Sequence, residues 1–343
     1  MNQTIPPFHL TRRATLAGLA TLAMPAISGR AHAATKVSVA LDWTPNTNHI
    51  GLFVAREKGF YKQAGLDVDI LPYTDSSAST LVASGVANFG IFGTIDLFTQ
   101  RAVGADLVAT YAIVQTETGR VVFNGDREDI QSPKDLDGKT YGGFGSEWES
   151  ALLRSMIRHD GGKGKFETVT LGTSAYQALA NGAVDFTVEV RTWEGVKAEL
   201  DGAKQRTFRY GDYGVPDEYT TLIGSSSRFL AADPKAASAF LSATRRGYDF
   251  ANAQPDAATD ILIGANSDAL TDRALVRASM QALIDGHYLK GADGTIGSFD
   301  PAKMEAIGAY LFDAGILKDA SGATLREKPD FAPYFTNDFL AAH

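Results

Sequence analysis

The sequence predicts an α/β protein of two lobes, each a mostly parallel sheet flanked by helices. Three observations carry that prediction. Strand-like and helix-like segments alternate in βαβ order twice over between Lys36 and Val190, an order that builds parallel sheets covered on both faces. A single late strand is followed mainly by helices to the C-terminus, so the chain is expected to return to its first block. About 310 residues remain beyond an N-terminal leader, a length that suits two domains of ordinary size.

The leader comes first. Thr11-Arg12-Arg13 precedes an uncharged apolar run from Ala14 to Ile27 and then Ala31-His32-Ala33, a small-x-small processing site. The run is about 14 residues and a spanning helix needs roughly 20, so residues 1–33 read as an export signal cleaved after Ala33 rather than as an anchor. The paired arginines point towards the twin-arginine route, although beyond them the match is only at Leu16.

In the first block, residues 37–41 are β-compatible and 50–58 have helical spacing. Residues 68–72 read as a parallel strand, 76–84 as a small-residue helix, 87–92 as a strand and 94–102 as a helix. A second block opens after the turn signal Asn124-Gly125-Asp126. Ser132-Pro133 starts a capped helical turn, 139–142 a strand, and 143–146 a loop into a helix over 147–159 with Trp148, Leu152 and Met156 on one stripe. Residues 169–171, 176–180 and 186–190 complete the block as strand, helix and strand, and 220–224 is the late strand before the helices from Pro234 onward. With crossings near Gly119 and Tyr219, the first lobe is 34–118 plus 222–343 and the second is 119–221.

Composition narrows the function. The 44% hydrophobic content is that of an ordinary globular chain. No cysteine is present, which removes thiol catalysis, disulfides, cysteine-held metals and a lipid-modified N-terminal cysteine. Loss of Arg12, Arg13 and Arg30 with the leader takes the formal charge from −8 to −11, and such a chain repels nucleic acid. His49, His159, His287 and His343 are scattered without paired-ligand spacing, no Gly-x-Ser-x-Gly elbow occurs, and neither a metal nor a cofactor is expected.

Ligands of such sheets sit outside the carboxyl ends of the strands, and the polar residues there are the candidates. Asp42, Trp43, Asn46 and His49 share one strand-to-helix loop, where an indole can stack on a flat ring while amide, carboxylate and imidazole satisfy its edge. The plainer reading makes Asp42 and Asn48 turn and cap residues with Trp43 in the core. Thr94 stands where the third strand meets its helix. Glu189, Trp193 and Glu194 follow another strand end; a carboxylate there can accept from an exocyclic amine or a ring N–H, or Glu194 can simply complement a helix start. Gly143 and Ser146 belong to a glycine-rich loop of the kind that binds anions. Glu147 and Glu149 beside it would repel phosphate, so the loop reads as a close approach to a neutral or cationic ligand, or as a plain tight turn.

The segment from Leu41 to His49, followed by Gly51-Leu-Phe-Val-Ala and Lys58-Gly-Phe-Tyr-Lys, resembles the thiamine-precursor-binding branch of the periplasmic binding protein type II family. The resemblance continues at Ala83-Ser-Gly-Val-Ala-Asn-Phe-Gly90, Asp135-Leu-Asp-Gly-Lys139, Trp193-Glu-Gly-Val196 and Tyr213-Gly-Val-Pro-Asp-Glu-Tyr219. It implies a periplasmic solute-binding protein of an ABC importer that captures a formylaminopyrimidine or hydroxymethylpyrimidine and delivers it to a permease and its ATPase; a monomer is the default expectation. It further implies that Trp43 stacks on the pyrimidine, that Asn46 and His49 line the first lobe, that Glu189 or Glu194 binds the amino edge, and that Tyr219 supplies an aromatic to the site.

Two rivals share the resemblance. Eukaryotic pyrimidine synthases of thiamine biosynthesis are similar and share the spacing of Trp43, Pro45 and His49, but their reactive lysine and histidine fall at Phe92 and Asp96 here and their cysteine-rich iron motif is missing. A binder of riboflavin, a sulfonate or another heteroaromatic would use the same fold. A sulfonate wants cationic donors, and only Arg120 and Arg191 lie close enough to supply them.

Overall fold

The computed structural model describes residues 1–4 and 34–340. The proposed leader and its processing site therefore lie outside the described residues, apart from the first four. Residues 34–340 form one compact unit.

That unit is built on two five-stranded sheets. The first opens with β1 (Thr35–Ala40), α1 (Ile50–Glu57), α2 (Phe60–Gln63), β2 (Leu66–Leu71), α3 (Ala78–Ala83), β3 (Phe89–Phe92), α4 (Thr94–Ala102) and β4 (Val108–Val114). The chain then crosses to β5 (Gly119–Asn124), β6 (Thr140–Gly143), α5 (Glu147–His159), β7 (Glu167–Thr170), α6 (Ala175–Ala180), β8 (Phe186–Val190), α7 (Val196–Leu200) and β9 (Gln205–Arg209). It returns in β10 (Thr221–Ser225) and ends in helices α8 (Ser227–Ala232), α9 (Pro234–Ala253), α10 (Pro255–Ala265), α11 (Arg273–Asp285) and α12 (Pro301–Asp313).

Both sheets have one plan. Their orders are β2-β1-β3-β10-β4 and β7-β6-β8-β5-β9. In the first, β10 lies antiparallel between β3 and β4, with Leu222 opposite Phe92 and Ala112. In the second, β5 lies antiparallel between β8 and β9, with Val121 opposite Val188 and Phe208. Each sheet is thus mixed, and its reversed strand is the one that enters from the other sheet. A strand arriving by a direct crossing enters from the end opposite to one delivered by a βα unit, which sets its direction.

The expected helices over 94–102 and 147–159 and the strand over 186–190 are present with those limits. The Ser132 turn is a 3-10 turn closed by a reciprocal bond between Ser132 and Asp135. Strands β4, β5 and β9 are additions to the sequence reading. β4 is buried along its whole length, whereas β9 is mostly polar at a sheet edge.

Apolar packing falls in two large clusters. One sets α1, α9 and α10 against β1 and β3 through Leu52, Phe53, Phe240 and Leu262. The other joins Phe92, Leu97 and Phe98 to Tyr141, Leu152 and Met156, so α4 and α5 bring the two sheets together along one side. Among the described residues no helix is long and apolar enough to cross a membrane.

Candidate functional site

The loop after β1 is held rigid by its own side chains. Asn46 caps the short turn Thr47–His49, its Oδ1 accepting from Asn48 N at 2.9 Å while its Nδ2 donates to Thr44 O at 3.1 Å. His49 is fully buried, with Nδ1 accepting from Asn46 N at 3.3 Å and Nε2 at 2.7 Å from Asp42 Oδ1. An accepting Nδ1 leaves the ring proton on Nε2, so the imidazole donates to Asp42 and fixes that carboxylate. Asn48 donates to Thr221 Oγ1 at 3.3 Å, which ties the loop to β10.

The second sheet meets this loop with two segments. After β8 the chain makes a π-helical turn, Arg191–Gly195, a wide turn often found at functional sites. Glu194 Oε2 accepts from Val190 N at 3.2 Å across it. Ser279 on α11 donates to Thr192 O at 2.5 Å and lies 2.6 Å from Thr47 Oγ1, so hydroxyl groups link the turn to the first loop. After β6, Glu149 Oε2 accepts from Phe144 N at 2.9 Å and from the Tyr141 hydroxyl at 3.0 Å. This bond folds the glycine-rich loop back on its helix and points Phe144 at Trp43, with ring centroids 6.0 Å apart in edge contact.

Between these segments lies a cleft of about 270 Å³. Asp42, Trp43, Asn46, Thr94, Glu189, Trp193 and Glu194 line it. The other sequence candidates stand elsewhere. His49 is behind Asp42; Gly143 is buried beside Tyr141 and Glu149. Ser146 is the residue before α5, and Glu147 faces solvent in an ion pair with Lys318 at 2.8 Å. Tyr219 turns away, its hydroxyl accepting from Asp300 N at 2.7 Å while its carbonyl accepts from Thr94 Oγ1 at 2.8 Å.

Several lining residues are additions: Asn48, Asp96, Glu117, Phe144, Trp148, Glu149, Tyr176, Tyr210 and Glu218. Glu149 carried a signal, a carboxylate in the first turn of α5. Asn48, Phe144 and Trp148 share the segments of Trp43, Gly143 and Glu149, while Asp96, Glu117, Tyr176, Tyr210 and Glu218 come from separate elements that no local pattern in the sequence groups.

The cleft's chemistry is one-sided. Seven carboxyl groups line it, on Asp42, Asp96, Glu117, Glu149, Glu189, Glu194 and Glu218, and among the described residues no lysine or arginine does. Arg120 sits opposite Glu189 in the β5–β8 register but gives Nη1 to Gly119 O, and Arg191 turns Nη2 to Glu199. Burial raises Glu189 to about 7, helped by the nearby Glu194 and opposed by Arg191 and Arg120. Burial likewise raises Glu194 to about 7 against its backbone bonds, and Asp96 and Glu149 are raised for the same first reason. Buried carboxyls held near neutrality can accept from a ligand's N–H groups with little desolvation left to overcome. Aromatic faces from Trp43, Phe144 and Tyr176 supply the apolar surface.

Comparison with known proteins places the chain in a family and its fold among known structures. The family pattern described as NMT1/THI5 like matches residues 46–258. A formylaminopyrimidine-binding protein of Halalkalibacterium halodurans is 27% identical over 282 residues, 80% of this chain and 84% of its own. A 4-amino-5-hydroxymethyl-2-methylpyrimidine phosphate synthase of Saccharomyces cerevisiae is 26% identical, covering 64% of this chain and 68% of its own. Among solved structures, the periplasmic aliphatic sulphonate binding protein of Escherichia coli superposes with a TM-score of 0.61 at 14% identity, over 88% of this chain and 99% of that one. The shared architecture is that of a periplasmic binding protein.

Proposed function

Because the chain belongs to the NMT1/THI5-like family, we propose that it is the solute-capturing component of an ABC importer and that its solute is a thiamine pyrimidine precursor of formylamino- or hydroxymethylpyrimidine type. The observation that carries this reading is the cleft lining, aromatic faces with carboxyl groups and no cationic side chain among the described residues. An aminopyrimidine is flat and rich in N–H donors. Trp43 stacks on its face, and Glu189 and Glu194 accept from its amino edge.

Capture follows from where the lining comes from. Trp43 and Asn46 precede α1, while Glu189 ends β8 and Glu194 lies in the π-helical turn after it, so a bound ring touches both sides at once. The lobes, 34–118 plus 222–343 and 119–221, close about their two crossings because the closed form holds more ligand contacts. The closed form is what the permease and its ATPase receive. The protein acts in the periplasm as a monomer, exported by its leader.

Two other readings have less support. A sulfonate would meet carboxylates instead of cations, and riboflavin has no observation in its favour beyond the aromatic faces. The yeast relatives are synthases, but this chain has no cysteine and its His49 is buried behind Asp42 rather than lining the cleft. Capture without turnover fits those residues.

The experiment is thermal unfolding of the purified protein against formylaminopyrimidine, hydroxymethylpyrimidine, thiamine, riboflavin and a small alkanesulfonate. A ligand that binds only the folded state at a hundred times its dissociation constant adds roughly 2.7 kcal/mol. A pyrimidine is expected to raise the midpoint selectively. A response to sulfonate or riboflavin with none to either pyrimidine discards the cargo.

A further inference from the structure

The two segments that carry the chain between the sheets meet at the base of the cleft. Asp217 Oδ1 accepts from Glu117 N at 2.8 Å, and Thr118 N donates to Thr220 Oγ1 at 2.7 Å. Lys303 on α12 clamps the junction, pairing with Asp217, donating to Gln115 O at 2.5 Å and lying 4.5 Å over the Tyr219 ring. This stitching presents two carboxyls, Glu117 and Glu218, to the cleft.

Glu218 is not accounted for by the fold. It is only 3% exposed, yet its Oε2 has no hydrogen-bond partner among the described residues. The lysine nearby is engaged with Asp217, and Glu117 is committed to Gly119 N as well as to Glu218. The charged and titratable groups around Glu218 are Glu117, Asp217 and Lys303, with Tyr210 and Tyr310 close by. Burial, then the neighbouring Glu117, pushes the Glu218 carboxyl well above the usual carboxylate range. The Glu218 carboxyl bonds to Glu117 through one oxygen, which leaves the other with nothing to accept. Buried acceptors are seldom left so, because the desolvation is uncompensated.

The geometry points to Glu218 as a specificity-determining residue, its carboxyl taking an amide N–H carried by a substituent of the ligand ring. The inference rests on the pyrimidine reading above and divides its two cargoes. A formylamino substituent holds that N–H in the plane of its amide, whereas a hydroxymethyl substituent has a freely turning O–H that the cleft's other carboxyls can take. Glutamine at this position reproduces the protonated carboxyl, giving its NH₂ to Glu117 and keeping its carbonyl for the ligand. Methionine fills the space and accepts nothing.

Calorimetric titration of the full chain with formylaminopyrimidine and with 4-amino-5-hydroxymethyl-2-methylpyrimidine tests this, with thermal unfolding reporting that each variant is folded. Glu218→Met is expected to weaken the formylamino ligand about tenfold or more and the hydroxymethyl ligand by less than about threefold. Glu218→Gln is expected to keep both within about threefold of the parent. Equal weakening of the two ligands in Glu218→Met, no weakening, or a tenfold loss in Glu218→Gln overturns the assignment while leaving pyrimidine capture standing. A parent protein that binds neither pyrimidine overturns both.

Discussion

Trp43 is the side chain on which the proposed site turns, because it is the one large aromatic of the first loop that lines the cleft, and it touches Tyr73 at 5.4 Å and Phe144 at 6.0 Å. Stacking of a nucleobase-like ring on an aromatic contributes about 1–3 kcal/mol, so Trp43→Ala is expected to weaken pyrimidine binding roughly tenfold or more and to abolish the midpoint shift. Glu189 and Glu194 set a pH dependence. Both are raised to about 7 by burial, so their neutral forms stabilise the ligand-free fold. That contribution is whole below the ordinary glutamate pKa and is lost as pH rises through about 7. The midpoint of the ligand-free protein should therefore fall between about pH 5 and pH 8, and Glu189→Gln should flatten the fall, which a pH series of unfolding scans would read; a shift of this size acting alone is worth about 3 kcal/mol. The sequence disclosed the residues that cluster on single loops, such as Asp42, Trp43 and Asn46. It did not disclose Asp96, Glu117, Tyr176 or Glu218, whose nearness is made by four separate elements.

Among the elements, α1 and α9 make the tightest junction. Gly51 and Gly247 face each other where the helices cross, and a methyl on Gly247 would run into the Gly51 carbonyl and the Ala55 side chain. The α1 side cannot retreat, since Tyr248 of α9 donates to Asn48 O at 2.6 Å just ahead of it. Gly247→Ala should accordingly cost about 1–3 kcal/mol by overpacking, seen as a lower denaturation midpoint, and should loosen the Trp43 loop that α1 supports. Elements with a periodic stripe or a clear stop were legible: the helix of Glu147 to His159 and the strand of Phe186 to Val190 have their expected limits. β4 was hidden because it is apolar on both faces and has no alternation to reveal it. β5 was hidden in front of the Asn124-Gly125 turn, and β9, with Arg206, Thr207 and Arg209, lacks an apolar face.

On the scale of the whole molecule, the two sheets repeat one plan and exchange one strand position each, β10 in the first and β5 in the second. For β10 this sets an order in time. It sits between β3 and β4, with Leu222 against Phe92 and Ala112, yet it is made only after the entire second sheet. Until it arrives, β3 and β4 have no bridge between them, and closing so long a loop is slow. A chain ended at residue 215 should leave the amides of Val108–Val114 open to hydrogen exchange, while the intact protein protects them. Protection in the shortened chain would mean that β4 finds another partner. A nascent chain of this topology stays unfinished until two thirds of it has been synthesised, and any chaperone or protease that meets it earlier meets a first sheet that has not yet closed.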